Sequence, residues 1–215
     1  MIEEYTLKYR SFGVNNFRES GQFQKYLNED QKRAIEVVGK VLPFKINSYV
    51  IEELINWQDV PNDPIFRLTV PHKDMLNADA FEKLDYLLAK DPLGKDTASL
   101  IEKLRLNLNP HPANQLTDNI PYYEGEKLQG IQHKYRETLL FFPSHGQTCH
   151  SYCSFCFRWP QFVGIDDLKF ASSETQMLVN YLKANSCITD VLITGGDPLI
   201  MSARRLREYI IPLLR

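Results

Sequence analysis

Three cysteines, Cys149, Cys153 and Cys156, fall within eight positions of one another in the stretch GQTCHSYCSFCFRWP. Thiolates at such spacings bind zinc or iron. A tetrahedral zinc site asks for a fourth ligand, for which His145 and His150 are the nearest candidates. A 4Fe-4S cluster has four irons, so three thiolates leave one iron without a protein ligand and open to a substrate or cofactor. A third reading, cysteines as small buried hydrophobes, competes poorly because polar residues are interleaved with them. Cys187 stands alone some thirty positions on and reads as a structural thiol.

A second stretch with chemical potential is GGDPL at 195–199. Gly195 and Gly196 allow close approach of backbone to a ligand, and Asp197 can meet a positively charged amino group. By itself the sequence Gly-Gly-Asp-Pro also suits a plain strand-to-helix turn. Arg158, a planar guanidinium, reads by itself as a solvated surface charge. Phe155, beside the last cysteine, serves equally as a stacking face or as core. His72, alone in a proline-flanked loop, reads as a surface residue or local hydrogen-bond partner and not as a metal ligand.

The elements that must position these groups follow from periodicity. ETLLFFP is a short apolar run suited to a buried strand, and SSETQMLVNYLKAN offers a Ser-capped helix with Met177, Leu178, Tyr181 and Leu182 inward. ITDVLITGG repeats the strand, and SARRLREYIIPLLR repeats the helix, with Leu206, Ile210 and Leu213 on one face. Successive βα units pair their strands in parallel and collect functional groups on the loops after the strands' C-terminal ends. Both chemically interesting stretches lie on such loops.

The first hundred residues read as helical. NEDQKRAIEVVGKVLPF takes Asn28 as its cap, Glu29 and Asp30 in its first turn, and Ile35, Val38 and Val41 or Leu42 on one face. INSYVIEELINW predicts a second amphipathic segment through Ile46, Val50, Leu54 and Trp57. NADAFEKLDYLLAK predicts a third through Phe81, Leu84, Leu87 and Leu88. Between these, Pro61, Pro64 and Pro71 predict a turn-rich connector. A linker rich in Pro, Asn and Gly runs from about Asn107 to Gly130 and places a boundary there. The expected organisation is a helical N-terminal region with its linker, 1–130, followed by an α/β region, 131–215.

Composition excludes some function classes. The chain has 215 residues, 43% hydrophobic and 24% charged, with a formal net charge of -2, as for an ordinary folded chain with no broad electrostatic attraction for nucleic acid or an anionic membrane. The N-terminus is acidic and mixed, no apolar run is long enough to span a bilayer, and the clustered cysteines suit a reducing compartment, so a cytoplasmic location is expected.

The residues resemble a known family. Cys149, Cys153 and Cys156, as C-x3-C-x2-C with Phe155 before the last cysteine, form the signature of radical S-adenosylmethionine enzymes. GIQHKYRETLLFF, CFR, DVLITGGDPLIMS, PNDPIFRLTVP and DPLGKD resemble segments of the lysine 2,3-aminomutase family, from about residue 25 onward. The resemblance implies a partial radical S-adenosylmethionine (βα) barrel preceded by a mostly helical region, with a 4Fe-4S cluster on the three cysteines. S-adenosylmethionine would then lie against Phe155, Gly195, Gly196 and Asp197 on the open iron. It implies reductive cleavage of S-adenosylmethionine to start radical migration of an amino group on an amino acid, with Arg158 clamping the substrate carboxylate. Pyridoxal phosphate is implied as a further cofactor, its phosphate held by Lys134 and Arg136. Thr138 stands where the family tends to carry a second arginine, and the lysine that anchors pyridoxal phosphate lies downstream of the matching segments. Implied partners are a small-molecule amino-acid substrate, an electron donor such as flavodoxin or ferredoxin, and further copies of the chain, with no nucleic acid and no membrane. Two βα units cannot close a barrel, so the chain is expected to be a fragment of a larger enzyme or to be completed by another chain. The alternatives are a radical S-adenosylmethionine enzyme of other substrate without pyridoxal phosphate, or a non-catalytic domain stapled by zinc or a cluster.

Overall fold

The computed structural model describes residues 9–108, 114, 117–164 and 170–214. Part of the expected linker, from 109 to 116, lies mostly outside them. The chain divides into two units, one of residues 1–110 with 150–159, the other of residues 111–149 with 160–215.

The first unit is helical, and its longest elements form where local signals agree. Helix α2, Glu29–Val41, follows a short helix α1, Gly21–Tyr26, and starts at a capping box: the Gln31 amide donates to the Asn28 side chain and the Gln31 side chain accepts from the Asn28 amide. Two otherwise orphaned donors are satisfied at once. Replacing Asn28 with alanine is therefore expected to destabilise this unit by about 1 kcal/mol, read as a lower urea midpoint in helical circular dichroism. Helix α2 buries two sides. Ile35 enters a cluster with Phe17, Phe23, Ile46, Trp57 and Phe66, while Val37, Val38 and Val41 join Phe81, Leu84, Leu88 and Leu104 from helices α4, Ala78–Lys90, and α5, Lys95–Asn107. Pro43 lies just beyond the end of α2, as its missing N–H and fixed φ require.

Two expectations for this unit are corrected. INSYVIEELINW is not one amphipathic helix: Ile46–Asn47 is a two-residue strand, β2, antiparallel to β1, Ser11–Phe12, and Val50–Leu54 is a single π-helical turn. Ile46, Val50 and Trp57 are buried as expected and are joined by Ile51 and Ile55, while Leu54 is exposed. The reason is local. The Asn47 side chain accepts from the Val50 amide, which restarts the chain at Val50 and rotates the apolar face. The proline-rich connector in turn contains a helix, α3, Pro64–Thr69, capped by Asp63, whose side chain accepts from the Phe66 amide at 2.7 Å. Pro64 occupies the first helical turn, where its missing N–H costs nothing.

The second unit is built on a three-stranded sheet in the order β5–β6–β7. Strand β6, Thr138–Phe141, pairs in parallel with β7, Asp190–Ile193, in the register Thr138↔Asp190 to Phe141↔Ile193. The crossover helix α6, Thr175–Ala184, lies between them in sequence. The expected strand, helix, strand, helix order is present, with α7, Ala203–Ile210, last. Strand β5, Ile131–Gln132, pairs antiparallel with β6 and was not anticipated, being only two residues long. A separate two-residue hairpin joins β3, Tyr122–Tyr123, to β4, Glu126–Lys127.

Leu139 and Phe141 point into a core completed by Ile131, Leu178, Tyr181 and Tyr209, with Met177, Leu182, Leu206 and Leu213 packed against it. Ile210 is largely exposed, and Tyr209 takes the inward position expected of it. The cap of α6 also differs: its N-cap is Glu174, and the Ser172 hydroxyl instead accepts from the Glu174 amide. Among the described residues no helix is long and apolar enough to cross a membrane.

Candidate functional site

In the second unit the loops after β6 and β7 meet. The Gly146 amide closes a turn onto the Pro143 carbonyl, and the Gln147 side-chain amide donates to the same carbonyl at 2.9 Å. This fixes the two residues that precede Cys149. The Asp197 amide donates to the Thr148 carbonyl at 2.6 Å. A Cβ on Gly196 would run into the Thr148 backbone, and one on Gly195, where φ is +134°, into the Gln147 side chain. Gly196 is thus required by close backbone approach, and Gly195 by its left-handed conformation beside the Gln147 side chain. Gln147 and Thr148 carry no signal in the sequence beyond their position next to Cys149.

Asp197 begins a short 3-10 turn, Pro198–Ile200, and its Oδ1 accepts from the Leu199 amide at 2.9 Å. His145, weighed above as a zinc ligand, shares a 2.6 Å hydrogen bond between its Nδ1 and the hydroxyl of Tyr209 on α7. A matching bond of 2.7 Å joins His133 Nδ1 to the Tyr181 hydroxyl on α6. Lys134 and Arg136 lie before β6, at the end of the sheet opposite the glycines, since the loops just described follow the strands' C-terminal ends. Lys134 is exposed over the Tyr135 ring, and Arg136 is exposed 3.7 Å from Glu137.

Cys153 and Cys156 belong to the first unit. Their loop turns through Cys156 N–H to the Cys153 carbonyl, 3.1 Å, and Trp159 N–H to the Cys156 carbonyl, 3.2 Å. Both cysteines line a groove together with Leu68, Val70, Met75, Tyr152 and Trp159. Burial pushes the Cys156 thiol up to about 11 and Cys153 adds to this, while the Arg158 backbone N–H favours the thiolate. A metal ligated there must displace that proton. Arg158 is not a solvated surface residue: it is 4% exposed, and burial lowers its guanidinium to about 10, still a cation at neutral pH. Phe155 and Phe157 are exposed, and so is Cys187 beyond α6. All four cysteines are thiols. Among the described residues no three His, Cys, Asp or Glu side chains are gathered closely enough to hold a metal ion.

His72, expected at the surface or in a local bond, is half-buried and hydrogen-bonds through Nε2 to the Arg67 guanidinium at 3.1 Å; its Nδ1 is buried without a partner. Burial, and then Arg67, push its imidazole below the ordinary value.

In the second unit, then, the diglycine turn after β7 is laid on the residues that precede Cys149. The chain is 30% identical over 189 residues, 88% of its length, to a provisionally named L-lysine 2,3-aminomutase of Aquifex aeolicus, covering 40% of that protein. It is 28% identical to the L-lysine 2,3-aminomutase of Clostridium subterminale over 90% of the chain and 38% of that protein. It is 27% identical to that of Methanococcus maripaludis over 81% of the chain and 32% of that protein. The chain therefore spans well under half the length of these curated relatives. No family model and no solved structure matches it. By sequence the chain resembles the lysine 2,3-aminomutase family.

Proposed function

We propose that this chain is part of a radical S-adenosylmethionine enzyme resembling lysine 2,3-aminomutase, acting on an amino acid. Residues 131–215 would form the first two βα units of its barrel and 1–130 a preceding helical region. The observation that carries the reading is the seating of Gly195–Asp197 on Gln147 and Thr148, directly before a C-x3-C-x2-C loop. The residues fit the cofactors in kind. Cys149, Cys153 and Cys156 are three soft donors on one short loop, the set that leaves a 4Fe-4S cluster with one open iron. Gly195 and Gly196 seat their turn against Gln147 and Thr148 and would so hold it beside a bound S-adenosylmethionine, with Asp197 the charge complement to its amino group and the exposed Phe155 ring a face for its adenine.

When bound, the reduced cluster supplies one electron for reductive cleavage of S-adenosylmethionine, which starts hydrogen abstraction from the substrate. The chain's share is to bind, orient and exclude water. Arg158, buried and cationic, is suited to hold a substrate carboxylate in a fixed geometry, since an ion pair formed away from water is less screened. Lys134 and Arg136 fit a phosphate poorly, being exposed at the opposite end of β6, and no step is derived through pyridoxal phosphate.

The test is anaerobic reconstitution of the full chain with ferrous iron and sulfide. A brown protein holding about four irons and four sulfides is expected, and with dithionite and S-adenosylmethionine it should release 5'-deoxyadenosine. Colourless protein carrying one zinc after anaerobic purification would instead establish a zinc staple.

A further inference from the structure

The cysteine loop is held by the N-terminal helices more firmly than by itself. On either side of Cys153, the Tyr152 amide donates to the Lys45 carbonyl at 2.8 Å and the Ser154 amide to the Leu68 carbonyl at 2.7 Å. Leu68 lies in the last turn of the short helix α3, where carbonyls have no partner within the helix. The loop supplies that partner. Lys45 directly precedes β2, and its ammonium also lies over the Tyr152 ring.

Between these two anchors stands Asn47, a buried polar side chain in β2. Its Oδ1 accepts from the Val50 amide at 3.0 Å, which fixes the orientation of the amide group. Its Nδ2 then faces the loop, donating to the His150 carbonyl at 3.4 Å and the Ser151 hydroxyl at 3.3 Å. One side chain thus ends the strand, starts the π turn and holds the segment leading to Cys153. The far end of the segment is closed by Trp159, which is buried.

We propose that the N-terminal helical unit is the device that presents Cys153 and Cys156 for ligation, with Asn47 as its positioning residue. The proposal rests on the reading of the cysteines as cluster ligands. Metal ligation tolerates only small errors in ligand distance, and a loop ordered in advance loses less conformational entropy on binding. The helical region thereby acquires a role in the chemistry without touching substrate. It also accounts for Asn47 as a buried amide whose donor and acceptor ends serve different segments.

The experiment is hydrogen exchange, read by mass spectrometry, on the metal-free full chain, paired with iron uptake under anaerobic reconstitution. Asn47→Asp retains Oδ1 for the Val50 amide and removes the donor facing His150 and Ser151. Exchange across residues 150–156 is expected to accelerate about threefold to tenfold, the loss of one or two ordinary hydrogen bonds, while the peptide covering α2 keeps its rate. The rate of iron uptake should fall, and the electron paramagnetic resonance signal of the reduced cluster should broaden as the ligands adopt more than one arrangement. Ser154→Pro deletes the donor to Leu68 from the loop side and leaves the helices intact, so it is expected to give the same pattern should Asn47→Asp disturb α2. Unchanged exchange across 150–156 in both variants overturns the positioning role, whatever the metal does. Wild-type protein that takes up no iron sinks the cluster reading, and with it the ligation half of this proposal, while leaving the exchange result to stand on its own.

Discussion

Gly196→Ala is expected to lower the stability of the second unit by about 1 to 3 kcal/mol, the range for a group forced into a filled space, and to abolish release of 5'-deoxyadenosine. A Cβ at this position meets backbone atoms of Thr148, its nitrogen, carbonyl carbon and oxygen, and none of these is the end of a flexible side chain. Relief requires the 195–197 turn to withdraw from the residues before Cys149. The Asp197 amide would then lose its bond to the Thr148 carbonyl, and the surface built by both loops would separate. For a chain of this size the stability change corresponds to a fall of roughly 2 to 12 °C in melting temperature, measured by circular dichroism. Gly21→Ala is the control: a Cβ there meets nothing within 4 Å, and it should leave both stability and turnover close to wild type. A Gly196→Ala protein that melts with the wild type and still cleaves S-adenosylmethionine would show that the close approach is dispensable.

The parts of the molecule legible in its sequence are those decided by neighbours along the chain. Helix α2 was readable because Asn28, the acidic first turn and the spacing of Ile35, Val38 and Val41 all state the same answer within one segment. The parallel pairing of β6 with β7 was readable because an intervening helix of this length leaves few other topologies. Helix α3 was hidden by its own prolines: three of them in eleven residues read as breakers, although Asp63-Pro64 is a cap followed by a first-turn proline. One position of INSYVIEELINW, Leu54, was misplaced because a side chain, Asn47, intercepts a backbone amide and resets the phase of the turn. Periodicity has no term for such an event.

The site divides along the same line. The spacing of Cys149, Cys153 and Cys156 is a local property and could be read directly. The depth at which Arg158 is buried depends on packing by residues distant in sequence, so a surface charge and a buried cation looked alike. The two residues on which the diglycine turn rests are ordinary polar residues, Gln147 meeting it with its side chain and Thr148 with its backbone. The anchoring of the loop by Lys45 and Leu68 uses carbonyl groups, which every residue has and no sequence pattern marks.

Cys153→Ser should have the largest effect on the cofactor. A serine hydroxyl is harder and far less acidic than a thiol and replaces a thiolate poorly as an iron ligand. On the proposed reading of Cys149, Cys153 and Cys156 as the ligand set, this substitution would leave two thiolates to hold a cluster. Iron after anaerobic reconstitution is expected to fall from about four per chain to below about one, with loss of the brown colour. Position matters here as well as chemistry, since Cys153 sits between the anchored amides of Tyr152 and Ser154 and its replacement leaves those bonds in place. Hydrogen exchange across 150–156 in the metal-free variant should therefore match the wild type, which separates loss of a ligand from loss of the loop. Cys187→Ser is the matched control. That thiol is exposed beyond α6, far along the chain from the cysteine loop, and its removal should leave iron, colour and exchange unchanged. Equal iron in wild type and Cys153→Ser, or a loss of iron in Cys187→Ser, would reassign the ligand set.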